Sequence, residues 1–198
     1  MKYLAIVSVA SIALLAACNQ GGDSAGQNTS EAVNATQDAT SGIVGQTSAM
    51  TMGANTVDGF VTNLAIGNMY ELEAAKVAAA KSKNADVKAL AAMITKDHTD
   101  AGQKLQTAAA AAEPDIAIPT ALDERRKGLV DNLSAATPDD FDKIYLNQQV
   151  AAHNETLTLL NGFSDNAEAP GLASLARELI APVTMHRDRA QALLDAMN

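Results

Sequence analysis

The chain is poor in cysteine, in aromatic residues and in positive charge. Its 198 residues include one Cys, no Trp, three Phe and three Tyr, so a disulfide within the chain is excluded and any core must be largely aliphatic. Fourteen Lys and Arg stand against 23 Asp and Glu, which gives a net charge of −9 at pH 7. Such an acidic chain is a poor candidate for binding nucleic acid or an anionic membrane surface. We therefore expect no nucleic-acid partner.

Sequence patterns typical of enzymes are also missing. There is no Gly-x-Gly-x-x-Gly or P-loop pattern, and no Ser-His-Asp or Cys-His arrangement is identifiable. A covalently attached haem is excluded because Cys-x-x-Cys-His is absent. These absences predict that the protein is not an enzyme.

Residues 1–17 have the features of an export signal. One Lys precedes an apolar run that is too short for a comfortable membrane-spanning helix. The run ends in Leu-Ala-Ala-Cys, which resembles the lipobox of bacterial lipoproteins. This resemblance implies cleavage before Cys18 and attachment of acyl chains such as palmitate, which would anchor the protein to a membrane. Because Asn19 stands where Asp would retain a lipoprotein, Gram-negative sorting favours the outer membrane, facing the periplasm, over the inner membrane or the cell surface.

Residues 18–55 have the composition of a tether. Gly, Ser, Thr, Asn, Gln and Ala dominate, and the segment has no Lys, Arg, Leu or aromatic residue. It cannot bury enough apolar surface to offset its ordering entropy, so we predict that it is disordered. Residues 56–198 remain, which is enough for one domain with a proper core.

This domain contains four long segments with apolar residues at helical spacing, and none alternates like a strand. Only a few residues near Ser82–Asn84 separate the first two segments, whereas a long proline-containing connection with a short helical stretch precedes the third. The pattern predicts an all-α fold, a ferritin-like four-helix bundle of two antiparallel hairpins joined by a long crossover that carries a short helix. Within the crossover, the charged residues 123–127 are expected to form a solvated face.

Several stretches resemble the family of domain of unknown function 4142, a ferritin-like group of bacterial exported proteins. They are Lys-Asp-His-Thr at 96–99, LDERRKGLVDNL at 122–133, FDKIYLNQQVAAHNETLTLL at 141–160 and LARELIAPVTMHRDRA at 175–190. The resemblance covers nearly all of the domain. It implies the fold and the compartment but no activity. The family typically has Asp-His in its third helix, where this chain has Ala152-His153.

The chain's three histidines and one glutamate lie on the apolar stripes, one on each long segment. They are Glu71, His98, His153 and His186. Bundles build metal sites from inward side chains on facing helices, and imidazole with carboxylate suits zinc, iron, copper or nickel. One hypothesis is therefore a single transition-metal ion held by two or three of these residues. The other is that each histidine is an interior residue that hydrogen-bonds to a carboxylate, Tyr or carbonyl and fixes the helix register.

Distances from the predicted turns constrain the metal hypothesis. Glu71 and His98 are offset by about three residues, or ~4.5 Å along the helices, whereas His153 and His186 are offset by about seven residues, or ~10 Å. One ion shared by all four residues would therefore be strained. Asp97 lies beside His98 in sequence and is expected to face solvent.

Other metal centres have less support. A diiron centre would need Glu-x-x-His motifs, but Thr95 and Val183 stand three residues before His98 and His186. Nothing in the sequence selects a haem. The sequence thus predicts a lipid-anchored envelope module with a structural, interaction or stress-related role. The alternative is a periplasmic transition-metal-binding protein.

Overall fold

A computed structural model describes residues 55–112 and 116–197. These residues form five helices and no strand, which confirms the predicted all-α class. The helices are α1 (Val57–Lys81), α2 (Ala85–Ala112), α3 (Glu124–Ala135), α4 (Phe141–Phe163) and α5 (Pro170–Asp195). The predicted signal segment and Cys18 lie outside the described residues, as does the predicted tether apart from Asn55.

Polar side chains begin three of the helices. Thr56 caps α1 by accepting a hydrogen bond from the Gly59 amide at 3.2 Å, and Asp123 caps α3 by accepting one from the Arg126 amide at 2.7 Å. Asn84 does the same before α2, where its side-chain oxygen accepts from the Asp86 amide at 2.8 Å. These bonds satisfy amides that have no partner within the first turn of a helix.

Each of the four long helices packs along two of the others. α1 contacts α2 and α4, α5 also contacts α2 and α4, and α3 lies against α1 and α4. α2 and α5 run in opposite directions, because ion pairs at 2.7 Å join Asp86 to Arg189 and Lys104 to Glu178.

Two contacts that involve aromatic rings give the relative direction of α1 and α4. The rings of Phe60 and Phe163 stack with centroids 4.0 Å apart at one end of the two helices. At the other end, Lys81 Nζ lies 5.7 Å from the centroid of the Phe141 ring. α1 and α4 are therefore antiparallel.

The buried apolar residues form two separate clusters. One contains Phe60, Leu105 and Phe163, and the other contains Ile94 and Phe141. Between them lies a layer of buried polar side chains that includes the three histidines and Glu71. The histidines thus interrupt an otherwise apolar core at one level of the bundle. None of the described helices is both long and apolar enough to cross a membrane.

Candidate metal centre

The three histidines meet in the polar layer. His98 on α2, His153 on α4 and His186 on α5 are all buried, and their ring centroids lie 5.4 to 5.7 Å from one another. One nitrogen from each ring lies within 4.8 Å of the nitrogens from the other two. No other cluster of three or more His, Cys, Asp or Glu ligand atoms of this kind occurs in residues 55–112 and 116–197.

The closeness of His153 and His186 corrects the predicted axial offset of ~10 Å. Their ring centroids are only 5.4 Å apart. The connection between α4 and α5 explains the difference, because the Arg177 guanidinium donates a hydrogen bond to the Ser164 carbonyl. The second turn of α5 therefore lies beside the end of α4, and His186 comes level with His153.

One nitrogen of each histidine ring faces a hydrogen-bond acceptor. The contacts are His98 Nδ1 to Asn68 Oδ1 at 3.0 Å, His153 Nδ1 to the Gln149 carbonyl at 2.8 Å, and His186 Nε2 to Asp97 Oδ2 at 3.1 Å. Since all three partners accept, each of these nitrogens carries the ring proton and donates it. The second nitrogen of each neutral ring then carries a lone pair.

The three lone pairs have no hydrogen-bond donor in the structure. They belong to His98 Nε2, His153 Nε2 and His186 Nδ1, which are inaccessible to solvent and have no hydrogen-bond partner. Leaving a buried acceptor unsatisfied costs about 1–3 kcal/mol, so three together need a physical reason. A metal-ligating histidine usually donates its other N–H to a carboxylate or a carbonyl, which is the arrangement seen here.

The surroundings keep the three rings neutral. Burial lowers the pKa of His153 to about 3. Burial also lowers the pKa of His98 well below its usual value, and the neighbouring His153 and His186 lower it further. The pKa of His186 is lowered by burial as well, although its hydrogen bond to Asp97 offsets part of the effect. Neutral imidazole is the form that binds metal ions.

Glu71 lies behind one histidine and does not reach the group of three. Its Oε1 is 3.6 Å from His153 Nδ1, which is the protonated nitrogen of that ring. The sequence placed Glu71 near His98, whereas the structure places it against His153. Burial raises the pKa of Glu71 to about 8, while the charge of Arg126 acts in the opposite direction. Glu71 is therefore placed to support His153 from behind.

Asp97 is a partner that the sequence did not identify. It was expected to face solvent, but its carboxylate reaches from α2 to His186 on α5 and is only 24% exposed. Burial raises its pKa, yet the hydrogen bonds with Lys96 and His186 outweigh burial and leave the pKa below its usual value. The only sign of this role in the sequence was that Asp97 stands next to His98. In the structure, however, Asp97 contacts His186 and not His98.

Asn68 is the second missed partner, and a glycine makes room for it. A Cβ at Gly102, one turn beyond His98, would lie 3.0 Å from Asn68 Nδ2. The amide nitrogen of Asn68 therefore points towards α2 at Gly102, while its oxygen accepts from His98. No pattern in the sequence relates Asn68 to Gly102 before the offset between α1 and α2 is known.

An ion network around Arg126 lies next to the histidine layer. It corrects part of the prediction that residues 123–127 form a solvated face, since Arg126 is buried whereas Glu124 and Lys127 are exposed. Arg126 is buried and donates to Glu155 at 2.8 Å and to Asp123 at 2.6 Å. Arg125 donates to both oxygens of Glu155 at 2.9 Å. Because Glu155 follows His153 by two residues, this network fastens α3 to α4 at the level of the histidines.

Comparison with known proteins matches the chain to a family. A family model described as "Domain of unknown function (DUF4142)" matches residues 44–193, which is most of the chain. No curated protein and no solved structure matches the chain. The matched residues include Glu71 and all three histidines.

Proposed function

The chain belongs to the family described as domain of unknown function (DUF4142), and we propose that it is a lipid-anchored, periplasm-facing bundle protein that binds a transition-metal ion. The ligands are His98, His153 and His186. A single observation carries this proposal: three histidine rings that bring nitrogens within 4.8 Å of one another each keep one buried, solvent-inaccessible nitrogen without a donor, while the opposite nitrogen is held by an acceptor.

A ferritin-like bundle is the architecture that we propose for this site. α1 and α4 are antiparallel, and so are α2 and α5, which leaves α2 and α4 pointing the same way if α1 and α2 form a hairpin. The connection from α2 to α4 then has to return along the bundle, and it carries α3. This order is that of two hairpins joined by a long crossover.

The anchor rests on the sequence around Cys18, as does the proposed location at the outer membrane. The lipobox-like Leu-Ala-Ala-Cys supports lipidation, and the composition of residues 18–55 supports a flexible tether that holds the bundle away from the lipid surface. The test is fractionation of cells that express the full chain or Cys18→Ala. Release of the variant into the soluble fraction is expected, and a variant that stays membrane-bound would overturn the anchor.

Metal analysis of the mature chain, purified without a histidine tag, tests the central claim. We expect about one equivalent of bound metal after loading and a rise in melting temperature. Less than about 0.1 equivalent of any transition metal, with no change in melting temperature on adding zinc, copper or iron, would refute it, since ligand binding must stabilise the folded state.

A triple variant provides a stringent control. The chain has only three histidines, so His98→Gln, His153→Gln and His186→Gln together remove every imidazole. Circular dichroism tells whether this variant folds. If it does not, the ring nitrogens of the unaltered protein can be followed by NMR, where only the three unpartnered nitrogens should shift on adding metal.

The second function that the structure favours is a structural or interaction module of the envelope, in which the histidines only fix the helix register. The hydrogen bonds from His98, His153 and His186 to neighbouring helices and backbone favour it. This function predicts a stable metal-free protein and no thermal shift with any metal. It also predicts buried water that donates to the lone pairs, with each water molecule serving at most two of the three.

A further inference from the structure

We infer that the ion held by His98, His153 and His186 is Cu(I), bound by three imidazole nitrogens alone. This inference rests on the proposed metal-binding function and deepens it by naming the ion. It follows from the number of donors, the closure of the site and the absence of a negative ligand facing the ion.

The two nearby carboxylates contact the outer sides of the rings. Asp97 lies at Nε2 of His186, whereas the unpartnered nitrogen of that ring is Nδ1. Glu71 lies at Nδ1 of His153, whereas the unpartnered nitrogen there is Nε2. Each carboxylate is thus separated from the ion position by an imidazole ring. The ion would meet three neutral donors and no anionic one.

The site is also shielded from solvent, which disfavours a fourth ligand. The three unpartnered nitrogens are solvent-inaccessible, and apolar clusters lie on both sides of the layer that contains them. Zinc is almost always four-coordinate, and a zinc ion with three protein ligands takes a water as its fourth. Cu(I) accepts three ligands without a fourth, and imidazole suits copper.

Charge burial favours a monovalent ion. Transferring an ion from water into a medium of low dielectric constant costs free energy that grows with the square of its charge, so an M²⁺ ion costs about four times as much as an M⁺ ion of the same size. Three neutral imidazoles do not reduce the net charge. Without an anionic ligand in contact, Cu(I) is therefore buried at a smaller cost than Zn(II), Ni(II) or Cu(II).

The present distances allow such a site with small side-chain movements. With metal–nitrogen bonds of about 2.0 Å, the nitrogens of a trigonal centre are about 3.5 Å apart. One nitrogen of each ring now lies within 4.8 Å of a nitrogen of each of the other two rings. Rotations that move each nitrogen by about 1 Å would close the site, and the acceptors behind the rings can follow such a motion.

Competition between metals tests the inference on the mature, untagged full chain. Metal-free protein is titrated under anaerobic conditions with Cu(I) against a chromophoric Cu(I) chelator, and separately with Zn(II) against a chromophoric Zn(II) chelator. We expect one equivalent of Cu(I) to bind at least 100-fold more tightly than Zn(II), with three nitrogen neighbours in the X-ray absorption spectrum.

The outcomes distinguish the proposal that the histidines bind a metal ion from the inference that this ion is Cu(I). Zn(II) or Cu(II) binding at the histidines as tightly as Cu(I), or a fourth ligand on Cu(I), would overturn the inference and leave metal binding intact. No binding of either Cu(I) or Zn(II) would overturn both. Binding of Cu(I) that persists after all three histidines are replaced by Gln would also overturn both, because the ion would then sit elsewhere.

Discussion

The carboxylate of Asp97 on α2 contacts the imidazole of His186 on α5, with Oδ2 3.1 Å from Nε2, although the two residues are 89 positions apart in the sequence. The contact links two helices that are not joined by a short turn. It also determines which nitrogen of His186 is protonated, because a carboxylate accepts the proton that Nε2 carries. Nδ1 is thereby left with a buried lone pair that has no donor.

Removing this negative charge should weaken metal binding. In Asp97→Asn the amide can present its NH₂ group to His186 Nε2, which favours the other tautomer and places a proton on Nδ1. Loss of such an outer partner typically lowers metal affinity 10- to 100-fold. We expect a decrease in this range, measured by competition with a chromophoric chelator, while stoichiometry stays at one.

Asp100→Asn is the matched control for that experiment. Asp100 lies three residues further along α2 and pairs with Lys104 at 2.8 Å, with both side chains largely exposed. Its replacement should leave metal affinity unchanged. An equal loss of affinity in the two variants would show that net charge, and not the contact with His186, causes the effect of Asp97→Asn.

The sequence predicted the inward face of each helix but not the offset between helices. The positions of Glu71 and the three histidines on apolar stripes follow from a period of 3.6 residues, and all four are indeed buried. The level of one helix against the next depends on the connection between them. At the α4–α5 connection the Arg177 guanidinium donates to the Ser164 carbonyl, a contact that no periodicity encodes.

The outer partners of the histidines were harder to predict for a related reason. Asp97 was assigned to the solvated side because it is one position from His98 and so points in a different direction around α2. That reasoning is correct about direction, but it does not include the neighbouring α5, which brings His186 within reach of the carboxylate. Long-range contacts of this kind require the packed helices.

The space at Gly102 leads to a prediction about Asn68. A methyl group at Gly102 would lie 3.0 Å from Asn68 Nδ2, so the Asn68 amide must shift away while its oxygen is bound to His98. Gly102→Ala should gain about 0.5–1 kcal/mol from helix propensity and lose most or all of this gain to the displaced amide. Metal affinity should fall because His98 is no longer held in place.

Gly128→Ala provides the comparison. Gly128 is exposed on α3, and an added Cβ would meet nothing within 4 Å. This variant should show the full gain of about 0.5–1 kcal/mol in the free energy of unfolding, measured by urea denaturation, with no change in metal affinity. Equal stabilisation by the two substitutions would contradict the crowding at Asn68.

The ion network on α3 predicts that removing the single charge of Glu155 strongly lowers the free energy of unfolding. In Glu155→Gln the buried Arg126 keeps Asp123 but loses its partner on α4, and Arg125 loses both of its carboxylate contacts. Breaking a buried ion pair on one side is strongly destabilising, and we expect a loss of about 2–3 kcal/mol in the free energy of unfolding. The exposed Glu178→Gln, which removes a surface pair with Lys104, should show no measurable loss. Similar losses in the two variants would mean that α3 is not fastened through Glu155.

Buried Glu71 makes the stability of the metal-free protein depend on pH with a definite sign. Its pKa rises from 4.5 to about 8 on folding, so between these values the folded state binds more protons than the unfolded state. Stability from this group is fully present below pH 4.5 and is lost as the pH rises towards 8. The pKa of His153 falls from 6.5 to about 3 on folding, so that group costs stability as the pH falls below 6.5.

Replacing Glu71 isolates its contribution to the pH dependence of the free energy of unfolding. Glu71→Gln keeps the shape of the neutral acid but cannot ionise, so its free energy of unfolding should rise relative to the original protein as the pH increases from 5 to 8. The slope should approach about 1.4 kcal/mol per pH unit in the middle of this range. Urea denaturation of both proteins at pH 5, 6, 7 and 8, in the presence of a chelator, measures the difference. Glu73→Gln, at a half-exposed position two residues along α1, is the surface control for the substitution itself. If the curves for Glu71→Gln and the original protein run parallel, Glu71 is ionised in the folded state, and the carboxyl behind His153 carries a full negative charge.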